Sequence, residues 1–183
     1  MRKIYILLTK SNTILSRGIY LITRGEYTHA SISLDTKFEM LYSFGRKYKH
    51  LILPAGFVKE SVNHGVLGDS DDMKCAVYEL EISEKAYKRL LRILDHMDKC
   101  GEKYRYSILG LPMCFFKKKY ERKGYFFCSQ FVYYALSKSG AVKKRKEPSL
   151  VRPIDLKEMP EAKEIFKGNI SQLRSLQITG ETA

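Results

Sequence analysis

The chain has 183 residues, 44% of them apolar and 12% aromatic, with only five prolines. That is enough to bury one proper core, and it excludes both a disordered polymer and two full-sized domains. Thirty-three Lys and Arg face 20 Asp and Glu, and the resulting net charge of +13 attracts polyanions without choosing among nucleic acid, anionic lipid headgroups and acidic cell polymers. The four cysteines, Cys75, Cys100, Cys114 and Cys128, contain no CxxC pair and no partnership with clustered histidines. Neither a zinc site nor a small disulfide framework is expected, and no cofactor. The opening MRKIYILLTK carries an apolar run too short for a signal peptide or a membrane span, so the expectation is a cytoplasmic protein with reduced thiols.

Lys3 to Thr9, rich in Ile, Leu and Tyr, reads as a short buried strand. A helix follows, capped by Ser11 or Asn12, with Ile14, Leu15, Ile19 and Ile22 at helical intervals and Arg24 and Gly25 at its end. From Glu26 to Asp35 the period changes. His29, Ser31, Ser33 and Asp35 alternate with Ala30, Ile32 and Leu34, the pattern of a strand with one polar face, and His29 lies on that face, looking either to solvent or into a cleft. Asp35 to Lys37 reads as a turn into a second strand, Met40 to Phe44. Leu51 to Asp72, broken by Pro54, Gly56, Gly65 and Gly68, reads as loop with a short strand near Phe57 to Lys59.

Lys74 to Ile82 alternates cleanly and is a third strand. Ser83 then caps a helix to about Cys100, with an apolar stripe through Ala86, Leu90, Leu94 and Met97; His96 lies on its surface between Asp95 and Asp98. Tyr104 to Gly110 reads as a further short helix halted by Pro112, and Cys114 as a packing residue. The basic runs Lys117 to Lys123 and Lys143 to Lys146 read as loops flanking the segment YFFCSQFVYYAL, Tyr125 to Leu136. Phe131, Val132, Ala135 and Leu136 fall three, four, seven and eight positions after Cys128, which places the thiol in the first turn of a helix ended by Gly140. Asp155 caps a brief turn in PIDLKEM, and Glu164 to Lys167 adds an edge strand. Residues 1–169 thus form one domain, and 170–183, which lack periodicity, a loose tail.

A thiol at a helix N-terminus is biased toward thiolate by unpaired amides and the helix dipole. An inert core cysteine among Phe126, Phe127 and Phe131 would show the same local pattern. A partner imidazole separates the two. His29 is the best placed of the four histidines, since His50 and His64 fall in loop-like sequence and His96 faces away from its helix stripe. Such a pair lets imidazole take the thiol proton and return it to a leaving group, while amides at the helix start receive the oxyanion.

The ordered blocks YTHASISLD, LYSFGRK, FVKE (Phe57 to Glu60), FFCSQFVYYAL and RPIDL (Arg152 to Leu156) resemble the circularly permuted NlpC-type papain-like cysteine hydrolases, in particular the YiiX and YaeF-like branch. In that branch, as here, the histidine strand precedes the cysteine helix, and the similarity spans Lys3 to Gly168. The resemblance implies an α+β papain-like fold with a small antiparallel sheet packed against helices, and Cys128 as a nucleophile that cleaves or transfers at an amide or ester bond. Small peptide, amide or lipid-like substrates are implied, as related enzymes act on cell-wall peptides or lipids. The family sets a third polar residue, often Glu or His, on the strand after the histidine strand to orient the ring. The matching position here is Ser43, a departure, with Glu39 or Asp35 as substitutes if the hairpin register differs.

The competing reading is a basic binding module on the same fold, without turnover, that holds an anionic partner such as a membrane surface through the two lysine runs. Nucleic acid is the poorer partner, because no recognisable motif and no regular aromatic and basic interleaving accompany the charge. Oligomeric state is not legible.

Overall fold

The computed structural model describes residues 1–10, 26–47 and 53–179. The helix expected between Ser11 and Arg24 lies outside the described residues, as does His50. The described residues fold as α+β around one sheet of eight strands: β1 (Arg2–Thr9), β2 (His29–Ser33), β3 (Leu41–Arg46), β4 (Ala55–Glu60), β5 (Lys74–Ile82), β6 (Arg105–Tyr106), β7 (Tyr125–Phe126) and β8 (Lys163–Asn169). Their order across the sheet is β7-β6-β4-β3-β2-β1-β5-β8. Every neighbouring pair is antiparallel except β6 and β7.

β1 explains the sheet's two-sided character. Ile4 to Leu8 are all buried, an unbroken apolar run of the kind a strand carries when both its faces are covered. Ile4, Ile6 and Leu8 join one core with α2 (Glu84–Lys99) and α4 (Cys128–Ser139), whereas Tyr5 and Leu7 join a second with Leu67 of α1 (Gly65–Gly68) and with Ile170 and Leu173 of α6 (Ile170–Thr179).

Two helices, α2 and α4, form where the sequence places their ends. On α2 the buried residues Ala86, Leu90, Leu94 and Met97 make the stripe against the sheet, and the Ser83 hydroxyl accepts the Ala86 amide at 3.1 Å. α4 stops at Gly140, whose φ of 82° is left-handed and suits a residue without Cβ. The edge strand expected around Glu164 to Lys167 is β8, and Asp155, in α5 (Pro153–Lys157), accepts the Arg152 amide at 2.7 Å.

Two expectations are corrected and a third is extended. Tyr104 to Gly110 is not a helix: Arg105 and Tyr106 pair with β7, and α3 (Gly110–Phe115) begins where the expected helix was to end. Pro112 sits inside its first turn, where a helix has no partner for the amide hydrogen that proline lacks. The strand expected near Phe57 to Lys59 is present as β4 and is longer than expected, and the short α1 follows it. Residues 170–179 are not loose, because α6 fully buries Ile170 and leaves only 4% of Leu173 exposed. Four buried positions spaced for a helix announce α2, whereas α6 contributes only two, too few for a period to be visible.

Candidate functional site

Cys128 is the first residue of α4, and the Phe127 amide just before it is held by the Gln130 side chain at 3.3 Å. The next residue, Ser129, is fully buried and donates its hydroxyl to the Val151 carbonyl at 2.7 Å, tying the helix start to the segment before α5. With the first turn anchored on both sides, the sulfur lies beside β2, 4.0 Å from the Thr28 carbonyl oxygen. The next residue, His29, opens β2, and the neighbouring Cys128 is among the groups that raise the pKa of its ring.

The imidazole is held from its far side. Its Nε2 lies 2.9 Å from Glu60 Oε2, which also accepts the Ser31 hydroxyl at 3.0 Å. An ionised carboxylate only accepts, so Nε2 carries the hydrogen and Nδ1 is the nitrogen left for the thiol. Ser43 donates to the Ala30 carbonyl at 2.7 Å and stands 3.3 Å from the same Nε2, where it serves as a secondary acceptor.

Glu60, rather than Ser43, is therefore the principal orienting group, and neither Asp35 nor Glu39 takes the part. Asp35 caps its own turn through the Lys37 amide, and Glu39 lines a cavity of about 340 Å³ whose wall also includes Glu60, Arg46, Lys47 and His64. The sheet register explains how the carboxylate arrives. β3 pairs Leu41 with Glu60 and Ser43 with Val58, which brings β4, one strand beyond the expected one, to the histidine face. Gly45 leaves the intervening space open: a Cβ there would stand 3.5 Å from Glu60 Oε1 and 3.7 Å from His29 Cε1, so alanine fits and a longer side chain would intrude. FVKE was legible as a strand, and only the pairing of β3 with β4 reveals where its last residue reaches.

The side chains of His29 and Glu60 are 17% and 19% exposed. Burial disfavours a charged ring, but the Glu60 charge and hydrogen bonds to Cys128 and Glu60 outweigh it, raising the His29 pKa well above its ordinary value. Burial likewise opposes ionisation of Glu60. The His29 charge, hydrogen bonds from His29 and Ser31, and the field of Arg46 prevail and lower it.

Tyr106 is a further member that the sequence did not offer. It is 7% exposed, and burial, followed by the negative charge of a Cys128 thiolate, pushes its hydroxyl well above the usual phenol range. It remains a protonated O–H donor. The other cysteines differ: burial pushes Cys75 up to about 12 and Cys114 up to about 11, and all four are free. Among the described residues no group of three or more His, Cys, Asp or Glu side chains could hold a metal ion.

The basic runs are not equivalent. In the second, Lys144 pairs with Glu147 at 2.9 Å, Arg145 with Glu161 at 2.7 Å and Lys146 with Asp155 at 2.8 Å. In the first, Lys119 is shared between Glu121 and Glu147 and Arg122 lies over the Tyr125 ring, while Lys117, Lys118 and Lys123 meet no acidic partner among the described residues.

Comparison with protein-family models and with curated proteins finds no match. Among the described residues no helix is long and apolar enough to cross a membrane.

Proposed function

We propose that the chain is a cysteine hydrolase or acyltransferase of permuted papain-like fold, with Cys128 as nucleophile, His29 as acid and base, and Glu60 orienting the ring. One observation carries this reading: His29 has a part-buried carboxylate 2.9 Å from its Nε2 and a thiol at a helix N-terminus among the groups that raise its pKa. A merely structural cysteine has no use for an ionisable relay behind it.

The chemistry follows from the positions. Nδ1 of His29 accepts the Cys128 proton, and the imidazolium is held by Glu60. The thiolate adds to the carbonyl carbon of an amide or ester. The oxyanion meets amide hydrogens of the first turn of α4, which have no helical partner, with the Tyr106 hydroxyl as a second donor. His29 returns its proton to the departing amine or alcohol, leaving a thioester on Cys128. Water, deprotonated by the same nitrogen, then attacks the thioester, releases a carboxylic acid and restores the thiol; an alcohol or amine in place of water gives transfer. Four free thiols support a reducing compartment such as the cytoplasm.

The test is a burst experiment with an activated ester such as p-nitrophenyl acetate. About one equivalent of p-nitrophenol per chain should appear before any steady rate, with the acetyl group on the peptide containing Cys128. Cys128→Ser and His29→Ala should abolish the burst. Acetylation spread over lysines, or a burst that persists without Cys128, would contradict the assignment.

A further inference from the structure

The segment between β6 and β7 presents an arrangement that the hydrolase reading leaves unused. α3 turns Leu111 and Cys114 inward, 7% and 4% exposed, while Ile108, Leu109 and Phe116 around its ends are 50%, 60% and 70% exposed. Leu109, Met113 and Phe116 stand at i, i+4 and i+7 and so share the outer face of this turn. Lys117 and Lys118 follow at once, exposed and without an acidic partner among the described residues. Apolar side chains that face outward and run directly into free lysines are the signature of an element that lies in a membrane interface.

We propose that α3 and Lys117–Lys118 form a docking surface for an anionic lipid bilayer, with Leu109 and Phe116 entering the headgroup region and the lysines meeting the headgroup charge. The net charge of +13 supplies long-range attraction, and ion pairs occupy Lys144, Arg145 and Lys146 of the second basic run, whereas Lys117 and Lys118 stand unpaired among the described residues beside the apolar face. A nucleic acid would use the lysines alone and leave the apolar face wet, so the bilayer is the partner that satisfies both features. The surface is fixed to the body of the protein: the Ser107 amide donates to the Phe126 carbonyl at 2.9 Å, and a Cβ on Gly110 would stand 3.5 Å from the Phe127 ring. Docking therefore brings the start of α4 close to the lipid surface. It does not depend on turnover at Cys128.

The test is flotation of the full chain with vesicles of phosphatidylcholine alone and of phosphatidylcholine containing about one third phosphatidylglycerol. Binding should require the anionic lipid and weaken as salt is raised. L109S/F116S and K117E/K118E should each weaken it by roughly tenfold or more. M40S/L53S, which removes apolar side chains 47% and 55% exposed elsewhere, should bind like the parent protein, and so should C128S. A protein that docks but gives no ester burst would leave this surface standing and remove the hydrolase; the reverse result would remove only the surface. Equal binding to neutral vesicles, no binding to either, or anionic binding that L109S/F116S leaves unchanged would overturn the proposal. So would tighter retention on DNA than on vesicles with the apolar variant unaffected, because charge alone would then explain the attraction.

Discussion

At the scale of single residues, the site turns on one imidazole between sulfur and carboxylate. Glu60→Gln keeps the shape and a hydrogen-bond acceptor but removes the charge that holds the imidazolium, so alkylation of Cys128 at pH 6 should slow by about tenfold or more, since each unit of His29 pKa is a factor of ten. Ser43→Ala removes the secondary contact at 3.3 Å and the bond to the Ala30 carbonyl but no charge, and should slow it by no more than about fivefold. Iodoacetamide kinetics read by peptide mass spectrometry separate the two, and equal effects would return Ser43 to the principal role. The same pair makes stability pH-dependent with a definite sign. His29 is raised above 6.5, so its contribution is complete below that value and fades as pH rises through the higher folded-state pKa; Glu60 is lowered below 4.5, so its contribution is complete above that value and is lost as pH falls through the lower one. The difference in melting temperature between the parent protein and His29→Ala should therefore be greatest between about pH 4.5 and 6.5 and shrink on either side. A difference that grows toward alkaline pH would contradict the charged pair.

At the scale of elements, α4 carries Cys128 and its two ends are set by different means. Gly140→Ala places a Cβ 3.9 Å from Arg89, so space is adequate and the cost is the left-handed backbone, about 1 kcal/mol or a fall of about 2–4 °C in melting temperature. Thermal denaturation followed by circular dichroism checks this, and an unchanged transition would mean that the helix does not end there by conformational preference. Such local signals explain what the sequence made legible: the His29 strand, the Cys128 helix and the stripe of α2 are each specified within a dozen residues. Glu60 and Tyr106 were not legible in the same way. Each reaches the site through strand pairing, β3 with β4 and β6 with β7, and pairing partners leave no mark in local periodicity. The strand β6 is two residues long, too short for alternation to register, so the apolar run beyond it drew the expected helix toward the wrong residues.

At the scale of the whole molecule, the sheet has two cores, and the second depends on α6. Truncation after Asn169 removes Ile170 and Leu173, both buried in the core that Tyr5 and Leu7 of β1 also join, and should cost about 3–6 kcal/mol at the upper limit set by burial of two aliphatic side chains. Urea unfolding of the truncated chain measures this; an unchanged midpoint would mean that residues 170–179 add nothing to the fold. Charge is organised on the same scale, since acids neutralise the run near α5 while free lysines stand beside α3.

The most direct test of the relay is the competition among four thiols for limiting iodoacetamide at pH 6, followed by peptide mapping. Cys128 should be modified well ahead of Cys75, Cys100 and Cys114, and His29→Ala should erase its lead. Labelling in which Cys128 has no lead, or keeps it without His29, would contradict a thiol activated by that imidazole.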